Sequence, residues 1–315
     1  MTNPNSNEPK SENQNQNGLV IKSQSGFYSV LLKGREQTII CQLRGKIKRG
    51  KHEGDLCSIG DEVKIQILAD GSGVIEEIFS RKNEVVRLDP RPQGEYRQIL
   101  IANADQVIFV FACTKPEPKL RMLDRFLVIA EKQGITPIIV FNKVDLIGIA
   151  EAKSKFGLYE KIGYEMIYTS VVSGEGISHL RERMVGRISA LAGPSGVGKS
   201  SLMNVIEPGI TLATGSVSDF NEKGRHTTNV RQLHPLSGGG WVADAPGWKS
   251  LGLWDIQPEE IDAYFPDIRP YVEDCAFSDC THSHEPGCAV LKAVNEGKID
   301  PRRYDSFQRL RQGQE

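Results

Sequence analysis

The octapeptide Gly193–Ser200 reads GPSGVGKS and matches G-x-x-x-x-G-K-S at every position. It follows the apolar run RISALA and opens the helical pattern KSSLMNVI, so the chain must supply a strand, a glycine turn and a helix in immediate succession. Glycines let successive backbone N–H groups curl inward, and the N-terminus of the following helix adds positive potential, which together make a cradle for phosphate. The candidate phosphate-binding set is therefore Gly193, Pro194, Ser195, Gly196, Val197, Gly198, Lys199, Ser200 and Ser201. Lys199 is placed to reach the β- and γ-phosphates, and the Ser200 hydroxyl to bind Mg²⁺.

A second motif stands upstream of the loop instead of downstream. FNKVDL occupies 141–146 and ends a buried-strand pattern. The Asp145 carboxylate can accept two hydrogen bonds from the guanine N1–H and exocyclic amine, which adenine does not offer in that arrangement. Asn142 can bond the other ring edge, and the Lys143 stem can cover the base. One βα unit later, TSVVSGEG places Thr169 and Ser170 where a backbone N–H can meet the guanine carbonyl. Beyond the phosphate loop, GRHTTN offers Thr228, or its neighbour Thr227, to complete a Mg²⁺ shell. DAPGW follows the short strand WVA and offers Asp244 as a Mg²⁺ holder and the Gly247 N–H to the γ-phosphate. All parts of a GTP-hydrolysing domain are present in rotated order: guanine loops, phosphate loop, switch threonine, D-x-x-G. A sheet of βα units tolerates this, because joining neighbouring termini and cutting elsewhere leaves the packing intact.

The surrounding texture agrees. Strand and helix patterns alternate from about residue 95, predicting a mostly parallel sheet with helices on both faces. IAEAKSKFGLYEKIG reads as one helix, and LRMLDRFLVIAEKQG as an amphipathic helix closed by Gly134. Residues 18–80 hold short alternating segments between glycine and charged turns, which predict a closed β-barrel of the OB type. Seven Lys/Arg between Lys33 and Lys51 face one acid, Glu36. Taken alone such a run is a solvated loop, but on a small barrel it is also how RNA is contacted. Residues 1–17 are Asn/Gln/Ser-rich and read as a disordered tail. The expected division is 1–17 tail, 18–80 barrel, 81–255 permuted GTPase domain and 256–315 C-terminal domain. The tail KIDPRRYDSFQRLRQGQE reads as a terminal amphipathic helix rich in Arg, on its own a solvated helix more than an RNA contact. The net charge of −1 selects no partner. No apolar run is long enough for a membrane span and no signal-peptide pattern opens the chain, so a cytoplasmic protein is expected.

Of six cysteines, Cys41, Cys57 and Cys113 are scattered through strand-like stretches and read as buried reduced thiols. Cys275, Cys280 and Cys288 cluster in CAFSDCTHSHEPGC. Three thiolates and one imidazole complete a tetrahedral set for one structural Zn²⁺, with His282 or His284 as the fourth ligand.

The rotated motif order together with the cysteine-bearing tail resembles the RsgA family (also called YjeQ or YloQ), the circularly permuted GTPases of bacterial ribosome assembly. The resemblance spans roughly residues 18–310. It implies a multidomain fold: an N-terminal OB-like β-barrel, a circularly permuted α/β P-loop GTPase domain and a C-terminal, mainly helical zinc-binding domain. It also implies a GTPase stimulated by the small ribosomal subunit and acting late in its maturation, with rRNA as a partner and GTP/GDP and Mg²⁺ at the site; separately from the resemblance, no membrane partner and a monomeric state are expected. The family's Cys-x-His selects His282 over His284. The family usually reads D-T-P-G, where this chain has Ala245, and commonly carries a third threonine where this chain has Asn229. Trp248 fills the place of the usual water-orienting Gln and is donor-only, so His226 is the expected catalytic residue, a role to which the resemblance also points. Because Asp244 precedes Cys275 closely, GTP-driven ordering of 216–250 is expected to reorient the zinc module against rRNA. The competing readings are a GTP-gated RNA-binding or translation-control protein in which hydrolysis is incidental, and a metabolic kinase, against which NKVD and the missing acceptor-binding signature both argue.

Overall fold

The computed structural model describes residues 15–49, 54–91, 94–210, 231–244 and 256–314. The alternating segments become five strands: β1 (Asn15–Gln24), β2 (Phe27–Leu32), β3 (Thr38–Leu43), β4 (Glu62–Ile67) and β5 (Gly73–Ile78). Along β3 exposed and buried residues alternate without a break. Ile39, Cys41 and Leu43 thereby share an interior with Val20, Val30, Leu32, Val63, Ile65 and Ile75. The order β1-β2-β3-β5-β4 closes through β1–β4 pairing, which removes the barrel's free edges. Asn15, Gln16 and Asn17, read from composition as tail, pair with Gln66, Ile65 and Lys64 of β4. Ladder pairing uses backbone groups, so polar side chains do not prevent it. The rest of the tail lies outside the described residues.

A hairpin of β6 (Glu84–Arg91) and β7 (Gly94–Ala102) follows, forming a separate two-stranded sheet. Two carboxylates, the buried Asp61 and the half-buried Asp55, tie the barrel to the chain around this hairpin. Asp61, fully buried, accepts Arg81 Nε at 2.6 Å, Arg81 Nη2 at 2.8 Å and the Ser58 N–H at 2.7 Å. Asp55 accepts the Tyr96 hydroxyl at 2.9 Å and the Ile99 N–H at 3.1 Å.

The next unit is doubly wound. Its sheet runs β10 (Glu165–Thr169), β9 (Thr136–Asn142), β8 (Gln106–Ala112), β11 (Ile188–Ala192), β14 (Trp241–Asp244) and β13 (His234–Pro235). All neighbours are parallel except β13–β14. Every residue of β8 is buried, as a central parallel strand requires. Its odd residues Val107, Phe109 and Phe111 pack on one face, with Leu123, Phe126 and Leu127 of α1 (Leu120–Gln133). Its even residues Ile108, Val110 and Ala112 pack on the other, with α4 (Ile177–Met184) and α5 (Lys199–Ile206). Gly134 ends α1 in the left-handed conformation, φ 62°. The segment expected as one helix is two, α2 (Ile149–Phe156) and α3 (Leu158–Ile162), broken at Gly157, a residue of poor helix propensity. The order runs β8-β9-β10 outward in one direction and β11-β14 in the other, so the sheet reverses between β8 and β11. A crevice at such a switch point, at the carboxyl ends of the strands, is where open α/β sheets bind ligands.

One strand links the two units. β12 (Arg231–Gln232) leaves the sheet's neighbourhood and pairs with β1 of the barrel, Lys22 with Gln232 and Ser23 with Arg231. Arg231 Nη1 donates to Asp55 at 2.7 Å and to the Ile99 carbonyl at 2.6 Å.

The C-terminal unit comprises 3₁₀ helices Pro258–Tyr264 and Arg269–Asp274, then α6 (Ala289–Asn295) and α7 (Pro301–Arg311) around its own apolar cluster, to which α1 contributes Val128. The last helix is amphipathic as expected, with Ser306, Phe307 and Leu310 buried, but its reading as simply solvated needs correction. Arg303 of α7 is buried, ion-paired with Asp124 of α1 at 2.6 Å and with Asp267 at 2.9 Å, and its guanidinium lies 4.3 Å from the Phe265 ring centroid. The other arginines supply the exposed face that composition reads. Cys41, Cys57 and Cys113 are free and buried. Burial pushes the Cys41 thiol up to about 12 and the Cys113 thiol up to about 11, so both are inert.

Candidate nucleotide and metal sites

The phosphate loop leaves β11 and enters α5 at the switch point. Gly193 is required there: a Cβ would stand 2.1 Å from the Val110 carbonyl oxygen of β8, and its φ is 147°. Gly198 is required for another reason. With φ 96°, its missing Cβ leaves the space taken by the Asn142 side-chain amide, 2.5 Å from where that atom would sit. Asn142 ends β9, is 2% exposed, and donates from Nδ2 to the Val197 carbonyl at 2.8 Å. Its Oδ1 accepts from the Thr169 hydroxyl at 3.1 Å. One buried amide thus ties the base loop, the Thr169 strand end and the phosphate loop together.

Lys143 takes a left-handed backbone, φ 63°, which sends its side chain across to the phosphate loop. Nζ donates to the Gly196 carbonyl at 2.7 Å and to the Lys115 carbonyl. The apolar stem is thereby stretched between base loop and phosphate loop, as a base cover requires. Asp145 is exposed and accepts from the Ser170 hydroxyl at 2.5 Å. That hydroxyl in turn accepts the Val172 and Ser173 N–H groups, both at 3.1 Å. The Ser170 N–H itself donates to the Glu175 carbonyl at 3.0 Å. Thr169 and Ser170 therefore face the base loop through their hydroxyls, which orient Asn142 and Asp145. Lys199 begins α5, and its ammonium bonds the Gly193 and Pro194 carbonyls at 2.8 and 2.9 Å, over the loop it serves. Ser200 follows it in the same first turn. Asp244 ends β14, paired with Leu191 two residues before the loop, so its backbone lies beside the phosphate-loop strand. His226, Thr227, Thr228, Gly247 and Trp248 lie outside the described residues.

The second cluster is formed by Cys275, Cys280, His282 and Cys288, whose ligand atoms lie within 4.8 Å of one another. Cys275 Sγ and Cys288 Sγ are 3.9 Å apart, and His282 Nδ1 is 3.5 Å from each. A tetrahedral zinc with ordinary Zn–S and Zn–N bonds sets S···S edges of about 3.8 Å and S···N edges of about 3.6 Å. The donor set and its spacing therefore fit one closed structural ion. His284 is exposed, bonded to the Ser283 hydroxyl, and stands apart from the set. The residues that sequence reading passed over are Arg231, Asp262 and Arg303; each acts through a partner distant in sequence, and no local pattern signals it.

The basic loop splits in two. Arg44 and Lys46 pair with Glu76, whereas Lys33, Arg35, Lys48 and Arg49 are exposed with no ion pair among the described residues.

Comparison with known proteins extends over the same regions. A family model described as the RsgA N-terminal domain matches residues 17–75, and one described as the RsgA GTPase matches 78–254. The small ribosomal subunit biogenesis GTPase RsgA of Gemmatimonas aurantiaca is 43% identical over 297 residues, covering 93% of this chain and 96% of the relative. The protein of that name from Moorella thermoacetica is 42% identical over 294 residues, covering 92% and 94%. The crystal structure of YjeQ from Thermotoga maritima matches with a TM-score of 0.77 at 34% identity, covering 96% of this chain and 99% of that one. YloQ, described as a circularly permuted GTPase, matches at 0.74 and 32% identity, covering 98% and 97%. The similarity runs from the barrel through the metal cluster, and the chain belongs to the RsgA GTPase family.

Proposed function

We propose that this chain hydrolyses GTP to GDP and phosphate and acts as a late maturation factor of the small ribosomal subunit. The observation that carries the GTPase reading is the Asn142 hub: the guanine-reading loop and the phosphate loop, far apart and reversed in sequence, share one buried amide with hydrogen bonds at 2.8 and 3.1 Å. The names of full-length relatives above 40% identity support the ribosomal role.

In this reading Asp145 and Asn142 select guanine, Thr169 and Ser170 hold them in aim, and Lys143 covers the base. Backbone N–H groups of the Gly193–Ser201 loop and of Gly247 receive phosphate, with Lys199 adding charge. Ser200, Asp244 and Thr228, or Thr227 in its place, hold Mg²⁺, which neutralises charge on the β- and γ-phosphates. His226 orients the attacking water. Cys275, Cys280, His282 and Cys288 hold Zn²⁺, which supplies folding energy to the C-terminal unit and no reactive position. The exposed Lys33, Arg35, Lys48 and Arg49 meet rRNA phosphates on the barrel. The protein works in the cytoplasm as a monomer; among the described residues no helix is long and apolar enough to cross a membrane.

The test is GTP turnover with and without purified small and large subunits. Stimulation by small subunits alone supports the proposal. Turnover that small subunits leave unchanged removes it and restores the reading of a GTP-gated RNA-binding protein.

A further inference from the structure

His282 is held at its near ring nitrogen and at its carbonyl, but not at its far ring nitrogen. Its Nδ1 faces the Cys275 and Cys288 sulfurs. Its carbonyl accepts the Tyr304 hydroxyl at 2.6 Å and Gln308 Nε2 at 2.7 Å, both from α7, which hold the residue at a φ of 58°. The far ring nitrogen is left without such a bond. His282 is 1% exposed, and its Nε2 is buried with no hydrogen-bond partner among the described residues. Asp262 Oδ2 stands 3.5 Å from it. Asp262 does not belong to the cysteine loop. It comes from the 3₁₀ helix Pro258–Tyr264 on the chain between Asp244 and the cluster.

A metal on Nδ1 has a chemical consequence for Nε2. The ligating ring is neutral, so its one proton must sit on Nε2, which becomes a donor. A buried N–H without an acceptor bears its full desolvation cost. The aromatic neighbour on this ring, Phe307 at 6.0 Å between centroids, offers no acceptor. The Asp262 carboxylate is the anion within closing distance. A carboxylate on the second nitrogen of a metal-bound histidine fixes the tautomer and raises the basicity of the ligating nitrogen.

We propose that Asp262 is the outer carboxylate of the metal site: it accepts the His282 Nε2–H when the ion is bound, and so couples the ion to the segment that leaves Asp244. The inference rests on the zinc reading above. Asp262 touches no metal; it is a positioning residue.

The test uses the full-length chain and zinc itself, in competition with a chromophoric chelator. D262N, nearly isosteric, is expected to weaken zinc binding by about 10–100-fold. D279N removes one exposed acid from the cysteine loop itself and is expected to leave affinity unchanged, which separates a specific bond from general charge. In an H282C background, which lacks the imidazole, D262N is expected to have no further effect. In the zinc-loaded wild-type chain the His282 Nε2–H should be an exchange-protected resonance that D262N shifts or abolishes. If D262N fails to fold, that wild-type resonance decides alone: a protected Nε2–H supports the assignment, and rapid exchange overturns it. Equal zinc affinity for D262N and wild type overturns the role of Asp262 and leaves the zinc site standing. A wild-type chain that binds no zinc removes the zinc reading itself and this inference with it.

Discussion

Replacing Arg303 with methionine tests how the C-terminal unit is held to the GTPase sheet. The substitution keeps length and apolar bulk and deletes the charge. The Arg303 side chain is 2% exposed, Asp124 3% and Asp267 10%, so solvent cannot take over the guanidinium's role. Asp124 would retain the Tyr159 hydroxyl at 2.8 Å, one neutral donor for a buried carboxylate. Asp267 would lose both of its guanidinium bonds, at 2.9 and 3.2 Å. Removing one partner of a buried pair costs about 3–5 kcal/mol, because the opposite charge is left desolvated. At about 2–4 °C per kcal/mol for a unit of this size, the melting transition should fall by roughly 6–20 °C. Circular dichroism and urea titration measure it. A second substitution supplies the internal check. Asp124→Asn in the R303M background removes one stranded carboxylate, so the double variant should be more stable than the sum of the singles predicts. A loss below about 1 kcal/mol for R303M, the range of exposed ion pairs, would refute the claim that this buried pair clamps the helix.

Four further outcomes are expected. Asp145→Asn should lower guanine-nucleotide affinity by about 10²-fold, through loss of charge-assisted bonds, and shift preference toward xanthine nucleotide, read by competition with a fluorescent analogue. His226→Ala should cut subunit-stimulated turnover by about 10²-fold while nucleotide affinity stays nearly constant; undiminished turnover would remove its catalytic role. Gly198→Ala should abolish nucleotide binding in calorimetry, since its Cβ would stand 2.5 Å from the Asn142 amide at a φ of 96°. Asp300 caps α7 by accepting the Arg302 N–H at 2.9 Å, and D300A should cost about 1 kcal/mol in urea titration. Its bonds to the Arg302 side chain, then to the Arg302 N–H, hold the Asp300 carboxyl below its usual range. The capping contribution is therefore complete above the unfolded value of about 4 and declines as pH falls through the lower folded value, so wild type and D300A should converge in acid.

What the sequence made legible follows from local rules. The phosphate loop needs glycines at fixed offsets before a helix, so Gly193 and Gly198 announce it. The buried parallel strands are short apolar runs, and Gly134 marks the end of α1. The barrel shows in its period of two. What stayed hidden depends on partners distant in the chain. Pro90 inside β6 obscured the hairpin, since proline usually marks a strand edge. Spacing alone left His282 and His284 equal; the family resemblance chose His282, and the convergence of its Nδ1 on two sulfurs agrees. Arg303 was read as one charge among many on an amphipathic helix, because a one-dimensional charge run does not tell which member meets a buried aspartate. Thr169 and Ser170 were grouped with the base loop through a backbone N–H, whereas the contacts seen run through their hydroxyls to Asn142 and Asp145, with the Ser170 N–H engaged elsewhere.

The pairing of β12 with β1 bears on how this protein can be dissected. The chain passes from the barrel to the sheet within the residues from Arg231 to Asp244, so the barrel supplies a ladder partner and the Asp55 carboxylate to the strand run that ends at Asp244. Deleting residues 15–78 would not isolate a GTPase. It would take the Asp55 carboxylate from Arg231, leaving only the Ile99 carbonyl, and unpair β12 directly upstream of β13 and β14. A fall in turnover after such a deletion therefore reports a damaged nucleotide site as much as a missing RNA contact, and the barrel's own share is measured by substituting its exposed lysines and arginines in the intact chain.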